Sequence, residues 1–309
     1  MNAGYIILII LGTAAIAAFL VFVSTAVALK QILKPRKRLT DELIAHEKEV
    51  KIFCDEWLNV PCETWKRVSR YGYEVTGYYY DFGFDRIMVC LHGHNSSHIS
   101  QLKYMDMFRS LGFDVFIPDH RHAGNSGGDT VTMGAKEKWD VVDWLQLIRE
   151  RRPGKRISIF GESMGAATAI MVTAIDGNLG YLIEYCGYAN FQGLLARYFK
   201  SQRLRRFFAK YIRFVVKYVY RFDSDECDAE KAMKRISCPV LIIHSESDET
   251  VPYENALILY GAKPDARFKS FKAARHACSI KTYHDEFVET IKDFVSDAEK
   301  ACKEKDNVR

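Results

Sequence analysis

Apolar residues form one long uninterrupted block near the N-terminus and then recur in shorter runs. The block extends from Tyr5 to Leu29 without a charged side chain. As a helix it is long enough to cross a hydrocarbon core of about 30 Å. A cluster of basic residues follows it directly, namely Lys30, Lys34, Arg36, Lys37 and Arg38. Because only the α-amino group precedes the block, the positive-inside rule predicts a single-pass membrane protein with its N-terminus outside and its main part cytoplasmic.

A cleaved signal peptide is the alternative explanation of this block. Ala26-Val27-Ala28 offers a cleavage pattern of small residues. However, the apolar region of a signal peptide has only about 7 to 15 residues and follows a basic segment, which this chain does not have there. We therefore predict an uncleaved transmembrane anchor over residues 1–30, a juxtamembrane connector over 31–60 and a globular domain over 61–309.

The connector is charged and predicts a helix that leads away from the membrane. Thr40 is a suitable N-cap, and Asp41 and Glu42 would lie in the first helical turn. Acidic side chains at that end are favoured by the helix dipole.

Short apolar runs bounded by polar loops predict the strands of the globular domain. The run from Tyr71 to Asp81 alternates and is rich in Tyr, Val and Thr, which favours an antiparallel edge strand or hairpin. The other runs are continuous, which is typical of strands buried on both faces. They are Arg86–Leu91, Phe113–Ile117, Ile157–Phe160, Leu182–Cys186 and Pro239–His244.

Helical spacing of apolar residues occurs between these runs and at the end of the chain. Within residues 135–150 the apolar positions are Val141, Trp144, Leu145 and Ile148. In the last helix they are Phe287, Ile291, Phe294, Val295 and Ala298. The alternation of strands and helices predicts the α/β class, with a mostly parallel central sheet that is covered by helices on both faces.

An insertion over residues 190–237 interrupts this alternation and carries a basic amphipathic helix over 203–221. Its apolar positions are Leu204, Phe207, Phe208, Tyr211, Ile212, Val215, Tyr218, Val219 and Phe222. The opposite face is basic, with Arg203, Arg206, Lys210, Arg213, Lys217 and Arg221. The helix either packs its apolar face on the domain as a cap with solvated charges, or presents the basic face to anionic lipid headgroups. No recognised nucleic-acid-binding module accompanies the charge, so nucleic acid is not an expected partner.

Composition supports a folded protein in a reducing compartment. Of the 309 residues, 48% are hydrophobic and 27% are charged, which is typical of globular domains. The net charge of +5 is concentrated in the segments just described. The eight cysteines are scattered without C-x-x-C pairs or zinc spacing and are predicted to be thiols.

The candidate chemistry centres on the sequence Gly161-Glu162-Ser163-Met164-Gly165. It follows the strand that begins at Ile157 and precedes a segment of small residues, which predicts a strand, a sharp turn and a helix. This G-x-S-x-G pattern is the nucleophile elbow. Ser163 would present its hydroxyl to a cleft, and the N–H groups at the start of the next helix would stabilise negative charge on a substrate oxygen.

A nucleophilic serine requires a histidine base and a carboxylate that orients it. Asp248 lies in a polar loop after the strand that ends at His244, and His276 lies in a loop before the last helix. The sequence thus predicts the catalytic residues Ser163, Asp248 and His276. Alternatives remain, since Glu246 or Glu249 could be the acid and His284 the base.

Five further histidines cluster in two loops. They are His92, His94, His98, His120 and His122. Their spacing matches neither H-E-x-x-H nor a carboxylate–histidine pattern, so we predict no metal and no cofactor.

The elbow around Ser163, Asp248 ahead of Val251-Pro252, His276 and the His92-Gly93 turn together resemble an α/β-hydrolase of the serine type. The segment 119–128 is similar to the monoglyceride-lipase and serine-aminopeptidase-like branch, and the resemblance covers about residues 71–295. It implies the α/β-hydrolase fold for the domain, with the insertion as a helical cap.

The resemblance also implies an oxyanion hole formed by the backbone N–H groups of Met164 and His94. Two positions depart from the family pattern. Arg275 stands where a Gly often precedes the catalytic histidine, and the chain reads Arg121-His122-Ala123-Gly124 where the family often has Arg-Gly-His-Gly or Arg-Ala-His-Gly. These differences affect the shape of the cleft and hence the substrate class more than the reaction.

The expected function is hydrolysis of a carboxylic ester of a small-molecule acyl substrate, with a lipophilic acyl group favoured by the cap, an expected apolar lining of the cleft and the membrane anchor. The same residues would also support a peptidase, a thioesterase or an acyltransferase. A binding protein that keeps the fold without catalysis is a further alternative, but it would usually have lost one of the three catalytic residues.

Overall fold

Eight strands form one sheet that organises the molecule. In the computed structural model, which describes residues 2–50, 52–196 and 200–307, the strand order is β1-β2-β4-β3-β5-β6-β7-β8. Strands β1 and β2 are antiparallel to their neighbours, and every pairing from β4 to β8 is parallel. The strands are β1 (Glu63–Val68), β2 (Glu74–Tyr80), β3 (Arg86–Leu91), β4 (Asp114–Pro118), β5 (Arg156–Glu162), β6 (Leu182–Tyr185), β7 (Val240–Ser245) and β8 (Arg267–Phe271).

The predicted mostly parallel sheet is confirmed, and six of its strands coincide with the predicted apolar runs within a few residues. The hydrophobic pattern did not predict β1 and β8. β8 is only partly buried and reads Arg-Phe-Lys-Ser-Phe, so it has no continuous apolar run. β1 has mostly exposed side chains and lies at the edge of the sheet.

Helices cover both faces of the sheet. They are α1 (Ala3–Leu33), α2 (Thr40–Val50), α3 (Met105–Ser110), α4 (Glu137–Arg151), α5 (Met164–Asp176), α6 (Phe191–Ala196), α7 (Gln202–Val215), α8 (Ala229–Met233), α9 (Glu254–Ala262), α10 (Ser279–Thr282) and α11 (His284–Asn307). Alternate residues of β3 enter opposite cores, because side chains alternate across a strand. Ile87 and Val89 pack with the core that includes α4 and α5, whereas Met88 and Cys90 pack with the core that includes α3 and α11.

The predicted apolar stripes of α4 and α11 are buried as expected. Trp144 and Ile148 of α4 and Phe287 and Ile291 of α11 are each at most 1% exposed. These helices therefore hold the sheet from both sides and fix the strand ends that carry the site.

The N-terminal helix α1 is long and apolar enough to cross a membrane, and it extends beyond the predicted end at Leu29 to Leu33. Its last turns pack against the globular domain. Leu29 and Leu33 are buried in the same core as Trp144, and Phe22 and Ala26 pack against that core. The last turns of α1 are therefore part of the core of the globular domain.

The connector helix begins at Thr40, so Leu39 and not Thr40 holds the N-cap position. The backbone N–H of Leu43 donates to the Leu39 carbonyl, and Glu42 Oε2 accepts from the Leu39 N–H at 3.0 Å. Leu43 on the inner face of α2 is buried against the second core. The connector is therefore docked on the domain.

The cap differs from the predicted amphipathic helix in how much of its apolar face is buried. The helix α7 ends at Val215 and continues as a short π-helical segment over Val216–Tyr220. Ile212 and Val215 are buried, but Leu204, Phe207 and Tyr218, which were predicted on the packed face, are exposed. The part of α7 that packs inward lies partly against α1, which the sequence pattern alone could not indicate.

Candidate active site

Ser163 lies between β5 and α5 in a strained backbone conformation. Its φ of 58° and ψ of −117° are rarely adopted by a residue with a side chain, and such strain marks the nucleophile elbow. The flanking glycines are required by close packing. A Cβ on Gly161 would lie 2.3 Å from the Gly165 carbonyl oxygen, and one on Gly165 would lie 2.2 Å from that of Leu91. The turn therefore fits between β3 and α5 only with these residues.

The structure brings the three predicted catalytic side chains into one hydrogen-bonded series. His276 Nε2 lies 2.8 Å from Ser163 Oγ, and His276 Nδ1 lies 2.6 Å from Asp248 Oδ2. Because the carboxylate can only accept, Nδ1 carries a hydrogen and Nε2 can accept the hydroxyl proton of Ser163. Their order and distances are those of an activated nucleophile, an oriented base and a carboxylate.

The loop after β7 holds the Asp248 carboxylate in this orientation. Its Oδ1 accepts from the backbone N–H groups of Thr250 and Val251, each at 2.9 Å, and its side chain is fully buried. His244 packs beside it, with Nε2 3.6 Å from Asp248 Oδ2 and 2.8 Å from the Val251 carbonyl oxygen. Burial lowers the pKa of His244, so this imidazole is neutral at neutral pH.

The alternative acids and the alternative base lie elsewhere. Glu246 points to Lys272, with which it forms an exposed ion pair at 2.9 Å. His284 is exposed at the start of α11, where its Nδ1 lies 3.1 Å from Asp285 Oδ1. Glu249 lines the cleft, but Asp248 occupies the position against the imidazole.

The predicted oxyanion residues lie on two segments that meet at Ser163. Met164 begins α5, where the first N–H groups of a helix have no acceptor within the helix. Gly93, in the loop after β3, approaches the nucleophile so closely that a Cβ on it would lie 3.4 Å from the Ser163 Cβ. His94 follows directly, and both residues line the cleft.

The other histidines tie the loops around the cleft together. His92 Nε2 accepts the backbone N–H of His120 at 3.0 Å, while its Nδ1 donates to the Gly93 carbonyl at 2.8 Å. His98 Nδ1 lies 3.0 Å from Asp119 Oδ1. Burial lowers the pKa values of His92 and His120, so both rings are neutral at neutral pH. These contacts join the loop after β3 to the loop after β4.

A charged network that sequence reasoning missed lies behind the elbow. Lys103 has a fully buried side chain, and its Nζ lies 2.7 Å from Glu162 Oε2 and 3.1 Å from Glu47 Oε2. Tyr104 donates to the same Glu162 carboxylate at 2.5 Å. Glu47 belongs to α2, so the connector is linked through one buried cation to the residue before Ser163. Only the tertiary fold brings these residues together, and no spacing in the sequence indicates them.

Glu184 on β6 is a second missed group. Its Oε1 accepts the backbone N–H of Gly187 at 3.0 Å, and its Oε2 is buried without a hydrogen-bond partner in the part of the chain that the structure describes. Burial raises the pKa of Glu184 to about 8, and the charge of Asp248 adds to this effect. Glu184 is therefore mostly protonated at neutral pH and leaves Asp248 as the negative charge beside the imidazole.

The cleft above Ser163 has a volume of about 710 Å³. The residues that line it are mostly polar or charged, so the expected apolar lining was wrong. Arg38 lies between α1 and α2, His46 and Glu47 belong to α2, and Arg275 comes from the loop that carries His276. Among the described residues, one group has the spacing of a metal site, with ligand atoms of Cys186, Asp248 and His276 within 4.8 Å of one another. Two of its three members are already hydrogen-bonded to each other in the series with Ser163.

Comparisons with known proteins agree with this geometry. The sequence model of a family described as serine aminopeptidase S33 matches residues 84–178. The uncharacterized protein YqkD of Bacillus subtilis is 31% identical over 237 residues, which cover 74% of this chain and 77% of YqkD. The lysophosphatidylserine lipase ABHD12 of Danio rerio is 27% identical over 219 residues, 66% of this chain, and the match spans only 54% of ABHD12.

Solved structures share the fold at lower identity. The esterase Pf2001 of Pyrococcus furiosus superposes with a TM-score of 0.65 at 21% identity, covering 80% of this chain and 96% of the esterase. The acylaminoacyl peptidase of Pyrococcus horikoshii superposes with a TM-score of 0.59 at 16% identity, covering 76% of this chain and 41% of the peptidase. Together with the sequence matches, these structures show that the chain belongs to the α/β-hydrolases, in the branch that the serine aminopeptidase S33 family represents.

Proposed function

We propose that the protein is a membrane-anchored serine hydrolase that cleaves a carboxylic ester through an acyl-enzyme on Ser163. One observation carries this proposal, namely the hydrogen-bonded series from Ser163 through His276 to Asp248 at a strained turn that opens into a cleft. A serine hydroxyl is a weak nucleophile at neutral pH, and an oriented imidazole that takes its proton overcomes this weakness.

In the first half of the reaction, Ser163 Oγ attacks the acyl carbonyl carbon while His276 Nε2 takes the hydroxyl proton. Asp248 stabilises the resulting imidazolium and holds its orientation. The backbone N–H groups of Met164 and His94 bind the oxygen of the tetrahedral intermediate, an arrangement in which each donor contributes roughly 10² to 10³ in rate. The C–O bond then breaks, and the leaving alcohol takes the proton from His276. A water molecule repeats these steps on the acyl-enzyme and releases the acid.

A lipophilic acyl group fits the position of the cleft. The anchor helix ends at Leu33, which is buried in the domain. Arg38, five residues later, lines the cleft. An ester that partitions into the bilayer would therefore reach Ser163 without crossing bulk solvent. The relatives named lysophosphatidylserine lipases act on an anionic lipid, and the exposed Arg38 and Arg275 of this cleft suit such a headgroup.

The membrane would contact the protein through the anchor and through the cap. Phe22 of α1 and Phe214 of α7 have ring centroids 6.2 Å apart, so the exposed aromatic residues of α7 continue the apolar surface of the anchor. The basic residues of α7 would then face lipid headgroups, each contributing about 1 kcal/mol near an anionic surface. The charges after Leu29 favour a cytoplasmic domain.

The side of the membrane on which the globular domain lies can be measured on intact cells with a thiol reagent that does not cross the membrane. Cys62 is exposed and gives a site for labelling. For a cytoplasmic domain, we expect labelling only after permeabilisation. Labelling of Cys62 in intact cells would place the domain outside.

The reaction is tested by replacing the nucleophile. Ser163→Ala should abolish covalent labelling by a fluorophosphonate and turnover of p-nitrophenyl esters. Ser110→Ala is the matched control, because Ser110 is exposed at the end of α3 and its hydroxyl bonds only locally to the Met107 carbonyl. Labelling that survives in Ser163→Ala would remove Ser163 from the mechanism.

Peptide cleavage is the second candidate, because the matching family is described as an aminopeptidase and the relative YtmA is described as an uncharacterized peptidase. The same three residues can cleave an amide. The ratio of kcat/KM for matched ester and anilide substrates separates the two activities. Product analysis with competing alcohols or amines separates both from acyl transfer.

A further inference from the structure

The globular domain caps the last carbonyl groups of the anchor helix. An α-helix leaves its last four carbonyl groups without partners inside the helix. In α1, the Ile32 carbonyl oxygen lies 2.6 Å from His94 Nε2, and the Leu33 carbonyl accepts the backbone N–H of Val131 at 2.8 Å. The domain therefore supplies donors that water would supply at a helix end free in solution.

The junction between α1 and the domain, residues 29–37, is closely packed. It is called the joint below. Leu33 is fully buried and Leu29 is 5% exposed, both within the main core. The chain that follows is held as well, because the Pro35 carbonyl oxygen lies 2.9 Å from His122 Nε2 and Lys37 Nζ donates to the Ser126 carbonyl at 2.6 Å. A displacement of the end of α1 relative to the domain would break several of these contacts at once.

His94 links this joint to the reaction centre. Its backbone lies in the loop after β3, next to Gly93, which approaches the Ser163 Cβ. Its side chain points to the anchor, where Nε2 must carry the hydrogen because the Ile32 carbonyl can only accept. Burial lowers the pKa of His94, so the neutral ring donates this hydrogen bond at neutral pH. One residue thus carries a proposed oxyanion donor on its backbone and an anchor contact on its side chain.

We propose that His94 is a positioning residue through which the anchor helix holds the oxyanion loop in place, so that the anchor sets the catalytic rate in addition to the location of the enzyme. This inference rests on the proposed function, because it assumes that the backbone N–H of His94 binds the oxyanion. Oxyanion donors must lie at the position that the negative oxygen will occupy, and displacements of about 1 Å can cost about 10²-fold in rate.

Two amide substitutions separate the hydrogen bond from the imidazole ring. The terminal nitrogen of Gln lies at about the same number of bonds from the backbone as His Nε2, whereas that of Asn is one bond shorter. In the full-length protein in detergent micelles, His94→Asn should lower kcat for a short p-nitrophenyl ester by about 10- to 100-fold with KM within twofold. His94→Gln should keep kcat within about threefold of the unmodified protein, and the rate constant of fluorophosphonate labelling should follow kcat in both variants.

His122→Phe is the matched control. It also removes a histidine contact to a carbonyl of the anchor end, but His122 belongs to the loop after β4 and does not line the cleft. It should lower the melting temperature without lowering kcat by more than about threefold. Melting temperatures of all three variants identify any loss of folding. If His94→Asn does not fold, a loss of kcat of more than about threefold in a folded His94→Gln overturns the proposal, because Gln keeps a donor at the distance of Nε2.

The outcomes distinguish this proposal from the proposed function. Normal kcat in a folded His94→Asn, equal losses in His94→Asn and His94→Gln, or an equal loss in His122→Phe would each overturn the positioning role. Such results would leave the loss of activity in Ser163→Ala unaffected. Turnover that survives in Ser163→Ala would instead overturn the proposed function itself.

Discussion

The carboxylate of Asp248 has a role that a single atom change can test. Asp248→Asn keeps the volume but can donate to His276 Nδ1, which favours the imidazole tautomer with its hydrogen on Nε2. That tautomer cannot accept the proton of Ser163. We expect kcat for p-nitrophenyl esters to fall by about 10³- to 10⁴-fold. The melting temperature should not change, which shows that the variant is folded.

The control for Asp248 is the neighbouring acid at Glu246, which forms an exposed ion pair with Lys272. Glu246→Gln should leave kcat within about twofold, since exposed ion pairs contribute only about 0 to 1 kcal/mol. If Asp248→Asn kept the same kcat as Glu246→Gln and the unmodified protein, neither carboxylate would orient the base.

Glu184 gives a prediction about stability and pH. Its folded-state pKa of about 8 lies above the ordinary value of 4.5, so the folded protein retains a proton that the unfolded chain releases. Its contribution to stability is therefore fully present below about pH 4.5 and is lost as the pH rises towards 8. Glu184→Gln is neutral at every pH and avoids this loss. The variant should be more stable than the unmodified protein at pH 8 by on the order of a few kcal/mol, measured by urea denaturation.

The control for this prediction is the same pair of proteins, the unmodified protein and Glu184→Gln, measured at pH 4.5. There the carboxyl group is protonated in the folded state, and the two proteins should have nearly equal free energies of unfolding. A stability difference that does not change between pH 4.5 and 8 would mean that folding does not raise the pKa of Glu184.

At the scale of residues, local sequence predicted the groups that lie at strand ends but not the buried charges. Ser163, Asp248 and His276 each stand in a loop directly after a strand or before a helix, where polar residues contrast with their apolar neighbours. Glu184 and Lys103 lie within or beside apolar segments. Their burial depends on which elements pack above them, and one sequence does not contain that information.

At the scale of elements, the exposed face of α7 predicts how the enzyme reaches its substrate. Phe207 is 67% exposed and Tyr218 is 66% exposed in the absence of a membrane. Phe207→Glu should raise KM for a long-chain ester in phospholipid vesicles by about tenfold, because inserting part of a Phe side chain is worth about 1 to 2 kcal/mol. Turnover of a soluble short-chain ester should not change.

Ser296→Glu is the control for this substitution. It adds the same charge at an exposed position of α11, which packs with the opposite core from α1. It should leave KM for both substrates unchanged. Equal effects of the two variants on the vesicle substrate would indicate a general repulsion from the membrane and would argue against insertion of α7.

The same element shows where a hydrophobic pattern loses its predictive power. In α4 and α11 the apolar residues form one stripe that faces one core, so periodicity alone predicted their packing. In α7 the apolar residues also form one face, but this face is buried only towards the C-terminal end of the helix, at Ile212 and Val215, while Leu204 and Phe207 near its N-terminal end are exposed. The periodicity predicts which face is apolar, but it cannot show how far along the helix the domain covers that face.

At the scale of the whole molecule, the parallel sheet was predictable because all of its parallel strands except β8 are continuous apolar runs. The position of α1 on the domain was not predictable. A helix of 31 residues is about 46 Å long, which exceeds a hydrocarbon core of about 30 Å by about 11 residues. The excess matches the segment from Phe22 to Leu33, which packs on the domain. With α1 as the proposed anchor, the domain should lie directly at the membrane surface.

This division of α1 predicts different results for two truncated proteins. A chain that begins at Val21 keeps the docked segment, whereas a chain that begins at Pro35 loses Leu29 and Leu33 from the core. Each buried leucine contributes about 1.5 to 3 kcal/mol, so the shorter chain should melt roughly 5 to 20 °C lower. It should also lose ester turnover, because Ile32 is no longer present to bind His94. If the anchor only located the enzyme, both chains would have the melting temperature and kcat of the full-length protein in detergent. A loss confined to the chain that begins at Pro35 would instead show that the end of the anchor is a structural part of the catalytic domain.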